Sequence, residues 1–168
     1  MHKFSLFLAL AAAAALPVHA QEDCKAAVIK HLTNSRDFTL NVAKAMPEAD
    51  YGFKLTPEQM SFGEQLVHLS KGMNYFLSAF KGEKPNPPKP PSMNKSDVIA
   101  YVGTAFDKAI AAVSALTPEQ LSKTYGSGGQ SSTGVDLLIG MVAHNAHHRA
   151  SAEMYLRAKG IKPPAYVD

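Results

Sequence analysis

One stretch near the C-terminus constrains the chain most: GVDLLIGMVAHNAHHRASAEMYLRAKG, from Gly134 to Gly160. It reads as a single long helix with no internal proline. Leu137, Met141, His144, His148 and Tyr155 fall on one stripe at steps of three, four and seven. The stripe is apolar at its ends and rich in imidazole in its middle. His144 and His148 lie one turn apart on the same face. Two imidazoles so placed have the spacing of two ligands to one metal ion. His147 is rotated off that stripe and reads as a neighbour of the pair or a surface residue.

The remaining segments read as helices joined by prolines and polar loops. The first helix spans about Cys24 to Met46 and stops at Pro47. Its apolar positions include Val28, Leu32, Phe38 and Val42, with His31 on or beside them. Tyr51 and Phe53, in the connection that follows, are expected to cover one end of the core. Thr56-Pro57-Glu58 has the look of a short helical start. The second helix runs from about Ser61 to Lys81, opened by a capping box of Ser61 and Glu64. Phe62, Leu66, Leu69, Met73, Phe76, Leu77 and Phe80 form its apolar face, and His68 lies among them. Five prolines between Pro85 and Pro91 then impose an extended connection. The third helix opens at Asn94 or Ser96 and reaches about Leu116. Thr117-Pro118-Glu119 marks a new start, SKTYGSGGQSST is a flexible polar loop, and the tail IKPPAYVD is extended. Nothing reads as a strand. Four helices of roughly twenty residues describe an all-α four-helix bundle.

The first twenty residues read differently. Lys3, the apolar run Phe4 to Leu16 and small residues before Ala20 form a signal peptide, with cleavage expected after Ala20. The domain would then be residues 21–168, periplasmic or secreted. No later segment is apolar enough to insert in a membrane. Without its leader the chain loses Lys3 and its formal charge falls from +3 to +2. Its basic residues are scattered, which excludes the electrostatic footprint of a nucleic-acid binder. Cys24 is the only cysteine, so no internal disulfide exists and the fold rests on its core.

Bundle interiors are where facing helices assemble metal sites. His68 from the second helix with His144 and His148 from the fourth would give three imidazole nitrogens and leave a position open for water or substrate. SFGEQLVHLSKGMNYFLSAF, preceded by AMPEADYGFKLTPEQM, resembles the second-helix region of the DinB-like (DinB/YfiT) family of candidate metalloenzymes, and HNAHHRASAEMYLRAKGIKPP resembles that family's last helix. The resemblance covers about Val28 to Pro164. It implies a four-helix bundle, often a homodimer, with a divalent metal on three side chains that fall here on His68, His144 and His148. Zinc or nickel fits three imidazoles best, with manganese or iron as alternatives. Lys54-Leu55 stands where many relatives have Arg-Pro, and Ala150-Ser151-Ala152 where many have Gly-Gln, so substrate specificity does not carry over. The implied activity is that of a metal-dependent hydrolase or thiol S-transferase acting on a small molecule. Glu64, Tyr75 and Tyr155 are candidate catalytic helpers, each with a structural reading as cap or core residue. The alternative is a non-catalytic metal-binding or stress protein of the envelope.

Overall fold

Polar residues at the starts of the later helices cap them through the residue three positions on, as the Ser61–Glu64 spacing predicts for the second. The Ser61 amide donates to Glu64 Oε2 (2.7 Å) and the Glu64 amide donates to Ser61 Oγ (3.3 Å). Asn94 Oδ1 accepts from the Asp97 amide (2.9 Å), and Thr133 with Asp136 forms another reciprocal pair. The computed structural model describes the backbone of residues 4–126 and 131–166, with side chains from Glu22 onward. Its elements are α1 (Phe4–Ala45), a 3-10 turn (Glu48–Asp50), α2 (Phe62–Lys81), α3 (Lys95–Ser114), the short α4 (Pro118–Ser122), β1 (Thr124–Tyr125), β2 (Ser132–Thr133) and α5 (Gly134–Ala158).

The predicted helices are present, with three corrections. α1 begins at Phe4 instead of Cys24. The Ala/Leu-rich segment ahead of Cys24 favours helix, and the helix runs on through Pro17. The expected signal peptide and its cleavage after Ala20 fall outside the residues described with side chains. Thr56-Pro57-Glu58 makes a turn closed by Gln59 N–H to Thr56 O (3.2 Å) and does not continue as a helix. Thr124 and Tyr125 pair antiparallel with Thr133 and Ser132, a bridge too short to produce a period-2 pattern.

α1, α2, α3 and α5 form the bundle. α2 packs against α3 and α5, and α1 packs against the same two, so α1 and α2 occupy opposite corners. The core holds Leu32 and Val42 from α1, Phe62, Leu66 and Leu69 from α2, Val102 and Phe106 from α3, and Leu138, Met141 and Leu156 from α5. Each such side chain contributes on the order of 1.5–3 kcal/mol on burial. Tyr51 closes one end as expected, stacked edge-on against Phe62 with its hydroxyl donating to Ala43 O (2.7 Å). Lys95 at the start of α3 reaches the last carbonyls of α1, donating to Lys44 O and Met46 O (2.7 and 2.8 Å). The proline-rich connection is extended, and Tyr101 O–H to Pro88 O (2.8 Å) fastens it to α3.

The buried face of α5 is rotated from the predicted one. Leu138 is buried where Leu137 was expected, and Asn145 and Arg149 go inward beside His148. Arg149 sits over the Phe38 ring (4.7 Å to its centroid) and donates to Ser35 Oγ (2.6 Å). These partners on α1 are what a polar residue needs to enter the core. His31 points to solvent, off the apolar stripe of α1. Among the described residues no helix is long and apolar enough to cross a membrane.

Candidate metal centre

α2 and α5 pack side by side, and this brings together residues 76 to 80 positions apart in sequence. His68, His144 and His148 each present a ring nitrogen, and the three nitrogens lie within 4.8 Å of one another. Ring centroids are 5.3 Å apart for His68 and His144, 4.5 Å for His68 and His148, and 4.5 Å for His144 and His148. All three predicted ligands therefore converge. His148 is buried, His144 half-buried, and His68 exposed, so the cluster opens to solvent on the α2 side. A groove of about 290 Å³ adjoins it there, lined by Met60, Glu64, Val67, His68, Lys71 and Met93.

Two residues that sequence reasoning did not single out shape the cluster. Gln65, one turn before His68, is buried, and its Oε1 lies 2.7 Å from His148 Nδ1. With the amide oxygen accepting from Nδ1–H, the lone pair of His148 sits on Nε2, the tautomer a ligating imidazole needs. The signal was a polar side chain beside Leu66 on a helix face otherwise apolar. Gly72, one turn after His68, lies against the His144 ring: a Cβ there would stand 2.1 Å from Cε1 and 2.5 Å from Nδ1. Only the absence of a side chain lets His144 occupy its position.

Burial and like neighbours keep two of the rings neutral. Burial lowers the His144 pKa, and His68 lowers it further. Burial pushes His148 down to about 4, with His144, His68 and His147 adding to the effect. His144 Nδ1 is buried with no hydrogen-bond partner, and Asn145 approaches His144 without reaching hydrogen-bond geometry. His147 is exposed, its ring edge-on to His148 at 4.9 Å.

Two predictions arise from this geometry. Gln65→Leu leaves the His148 Nδ1–H without an acceptor and is expected to weaken divalent-metal affinity by about 10–100-fold, read by competition with a chromogenic chelator. The second concerns pH. Unfolded histidines take up protons near 6.5, whereas folded His148 holds out to about 4. Between those values the unfolded chain binds more protons, so stability falls as pH drops through that window and levels off below it. Stepwise melting of the metal-free protein is expected to show this slope, reduced in His144→Ala/His148→Ala.

The candidate helpers are placed less favourably. Glu64 is exposed and committed to its cap, and the Ser61 amide and hydroxyl hold its carboxyl below the usual range. Tyr155 is buried and donates to Met60 O, between Phe53 and Phe62, so its role is packing. Tyr75 is 63% exposed and leans edge-on against Phe76. It is Phe76 that touches the cluster, with its ring centroid 6.0 Å from that of His144.

Comparison with known proteins agrees with this architecture. YjoA of Bacillus subtilis strain 168, described as uncharacterized, is 24% identical over 137 residues, 79% of this chain and 89% of YjoA. The crystal structure of that DinB-like protein matches with a TM-score of 0.70 at 25% identity, covering 83% of this chain and 96% of its own. A DinB-like protein from Bacillus cereus ATCC 10987 shares the fold, with a TM-score of 0.67 at 17% identity over 83% of this chain and 95% of its own. The model of the DinB family matches residues 19–167, the whole of the bundle from Glu22 through the extended tail, and the chain belongs to the DinB family.

Proposed function

We propose that this chain binds one divalent transition-metal ion through His68, His144 and His148 and acts as a metal-dependent enzyme on a small molecule, as a hydrolase or thiol S-transferase. The observation that carries the reading is the convergence of three ring nitrogens within 4.8 Å at the mouth of a groove. The residues fit such an ion. His144 and His148 have lowered pKa values, Gln65 holds the His148 tautomer, and the buried His144 Nδ1 has no partner. Three imidazoles and no carboxylate favour zinc or nickel over manganese or iron. A bound ion would supply Lewis acidity toward an oxygen or sulfur atom of the substrate.

The chain's own residues provide the surroundings. Exposed His68 leaves the groove side accessible, and Lys71 and Glu64 line that groove with opposite charges. Phe76 and the α2–α5 contact shield the far side. We further propose export through the N-terminal leader, which would keep the protein from cytosolic thiol cofactors and direct the search toward substrates of the envelope.

The test is elemental mass spectrometry of the untagged protein beside His144→Ala/His148→Ala. About one metal per chain in the parent and none in the variant is expected. A parent that takes up no metal, even after incubation with zinc, nickel and manganese, sinks the proposal. Stoichiometric metal without turnover in hydrolase and thiol-transfer screens would leave the non-catalytic envelope metal-binding reading instead.

A further inference from the structure

The starts of α2 and α3 both lie at the C-terminal end of α1. The Gly63 amide donates to Tyr51 O (2.9 Å), and Lys95 reaches Met46 O (2.8 Å). The two helices therefore run parallel, and the connection between them retraces the length of α2. That helix has 20 residues and spans about 30 Å at 1.5 Å per residue. Residues 82–94 cover such a distance when extended, at about 3.1 Å per residue, and as a helix they would fall short. The proline-rich run supplies the extension, and the Tyr101 hydroxyl, donating to Pro88 O, fastens it along the α2–α3 groove.

Beneath this connection lie two adjoining cavities that share Asn74, Leu77 and Lys108. The inner one, about 140 Å³, is mainly apolar, with Met73, Leu77 and Ala105 from the helices and Pro88 from the connection. An apolar space of about 150 Å³ takes a benzene ring. The outer one, about 590 Å³, lies toward the C-terminal end of α2 and bears Lys81, Lys84 and Lys108 against a single acid, Glu83. These four side chains are exposed, and among the described residues none of the three lysines makes an ion pair. Asn74 stands where the cavities meet, and its Oδ1 is buried without a hydrogen-bond partner. An orphaned buried acceptor is uncommon in a folded chain. From the inside outward, the groove thus offers an apolar hold, a hydrogen-bond acceptor and positive charge. It lies on another face of α2 from His68, since six residues turn a helix to about 120° away.

We propose that the α2–α3 groove binds a small carboxylate that has an apolar body and an N–H between the two, the chemistry of an N-acylated amino acid. The apolar end fills the inner cavity, the N–H donates to Asn74 Oδ1, and the carboxylate faces the three lysines. The stiff proline-rich wall is in place before binding, which limits the ordering that binding requires. The site is separate from the histidine cluster and stands whether or not that cluster holds metal.

The probe is N-phenylacetylglycine, titrated into the isotope-labelled protein and followed by amide NMR shifts. Saturable shifts along the α2–α3 groove and the proline-rich connection are expected, with a Kd on the order of 1 mM. Lys81→Ala/Lys84→Ala/Lys108→Ala, whose side chains are all exposed, is expected to keep the parent's melting and to bind at least about 10-fold more weakly. The methyl ester of the probe, which lacks the charge, and N-acetylglycine, which lacks the ring, are expected to lose affinity to a similar degree. His144→Ala/His148→Ala is expected to bind the probe as the parent does. No saturable shift in the groove at about 10 mM probe overturns the proposal. So do shifts centred on His68, His144 and His148, or a triple-lysine variant or methyl ester that binds as tightly as the parent pair.

Discussion

Gly72→Ala is expected to reduce metal content to the level of His144→Ala/His148→Ala, while the melting temperature of the metal-free protein stays level or rises slightly. The two outcomes separate because of what the new methyl group meets. Its Cβ would lie 2.1 Å from His144 Cε1, 2.5 Å from Nδ1 and 2.9 Å from Nε2, distances no packing adjustment of tenths of an ångström relieves. The ring is the far end of a rotatable side chain, however, and it is half-buried. It can swing off α2 without moving either helix. The fold then keeps the alanine's advantage of roughly 0.5–1 kcal/mol over glycine in a helix interior. The site loses one of its three nitrogens. Elemental analysis and thermal melting of the same preparation check both halves. A variant that retains about one metal per chain would show that His144 is not held where a ligand must be. A melting temperature that collapses would show that the Gly72–His144 contact is structural.

What was legible in the sequence, and what was not, divides along physical lines. Ser61 and Glu64, Asn94 and Thr117 announce their helices because capping is local: donor and acceptor sit three residues apart, and spacing alone specifies them. His144 and His148 were legible for the same reason, since helical periodicity fixes their shared face. His68 required the added knowledge that the second helix packs on the fourth, which the bundle architecture and the family resemblance supplied. Gln65 and Gly72 were missed because their roles lie wholly in the partner helix. A glutamine becomes the acceptor for a histidine 83 positions away only once α2 and α5 are in register. The rotation of α5 was missed because Asn145 and Arg149 looked polar, hence exposed. Phe38 and Ser35, on another helix, provide the interior partners of Arg149. Tyr75 shows the reverse error: an aromatic residue at an acceptable phase on α2 that the fold leaves outside.

Gly134→Ala is expected to cost about 3 kcal/mol or more and to lower the melting temperature by about 6–12 °C. The comparison with Gly72 is instructive because the residue change is the same and the neighbour differs. A Cβ at Gly134 would lie 2.3 Å from Gln120 O, 2.8 Å from Leu121 Cα and 2.9 Å from Leu121 O. All three are backbone atoms of α4, and none can rotate away. Relief requires α4 to move off the first turn of α5, which would draw Leu121 out of the core, where it is fully buried. It would also strain the Gly134 N–H to Lys123 O bond (3.0 Å) and the β1–β2 bridge beside it. The gain of alanine over glycine, under about 1 kcal/mol, is too small to offset this displacement. The histidine cluster lies more than two turns along α5, so metal content per folded chain is expected to stay near the parent's. Calorimetric melting with elemental analysis on the soluble fraction tests both statements. An unchanged melting temperature would mean that α4 is not seated against Gly134, and a parallel loss of metal would tie the start of α5 to the site.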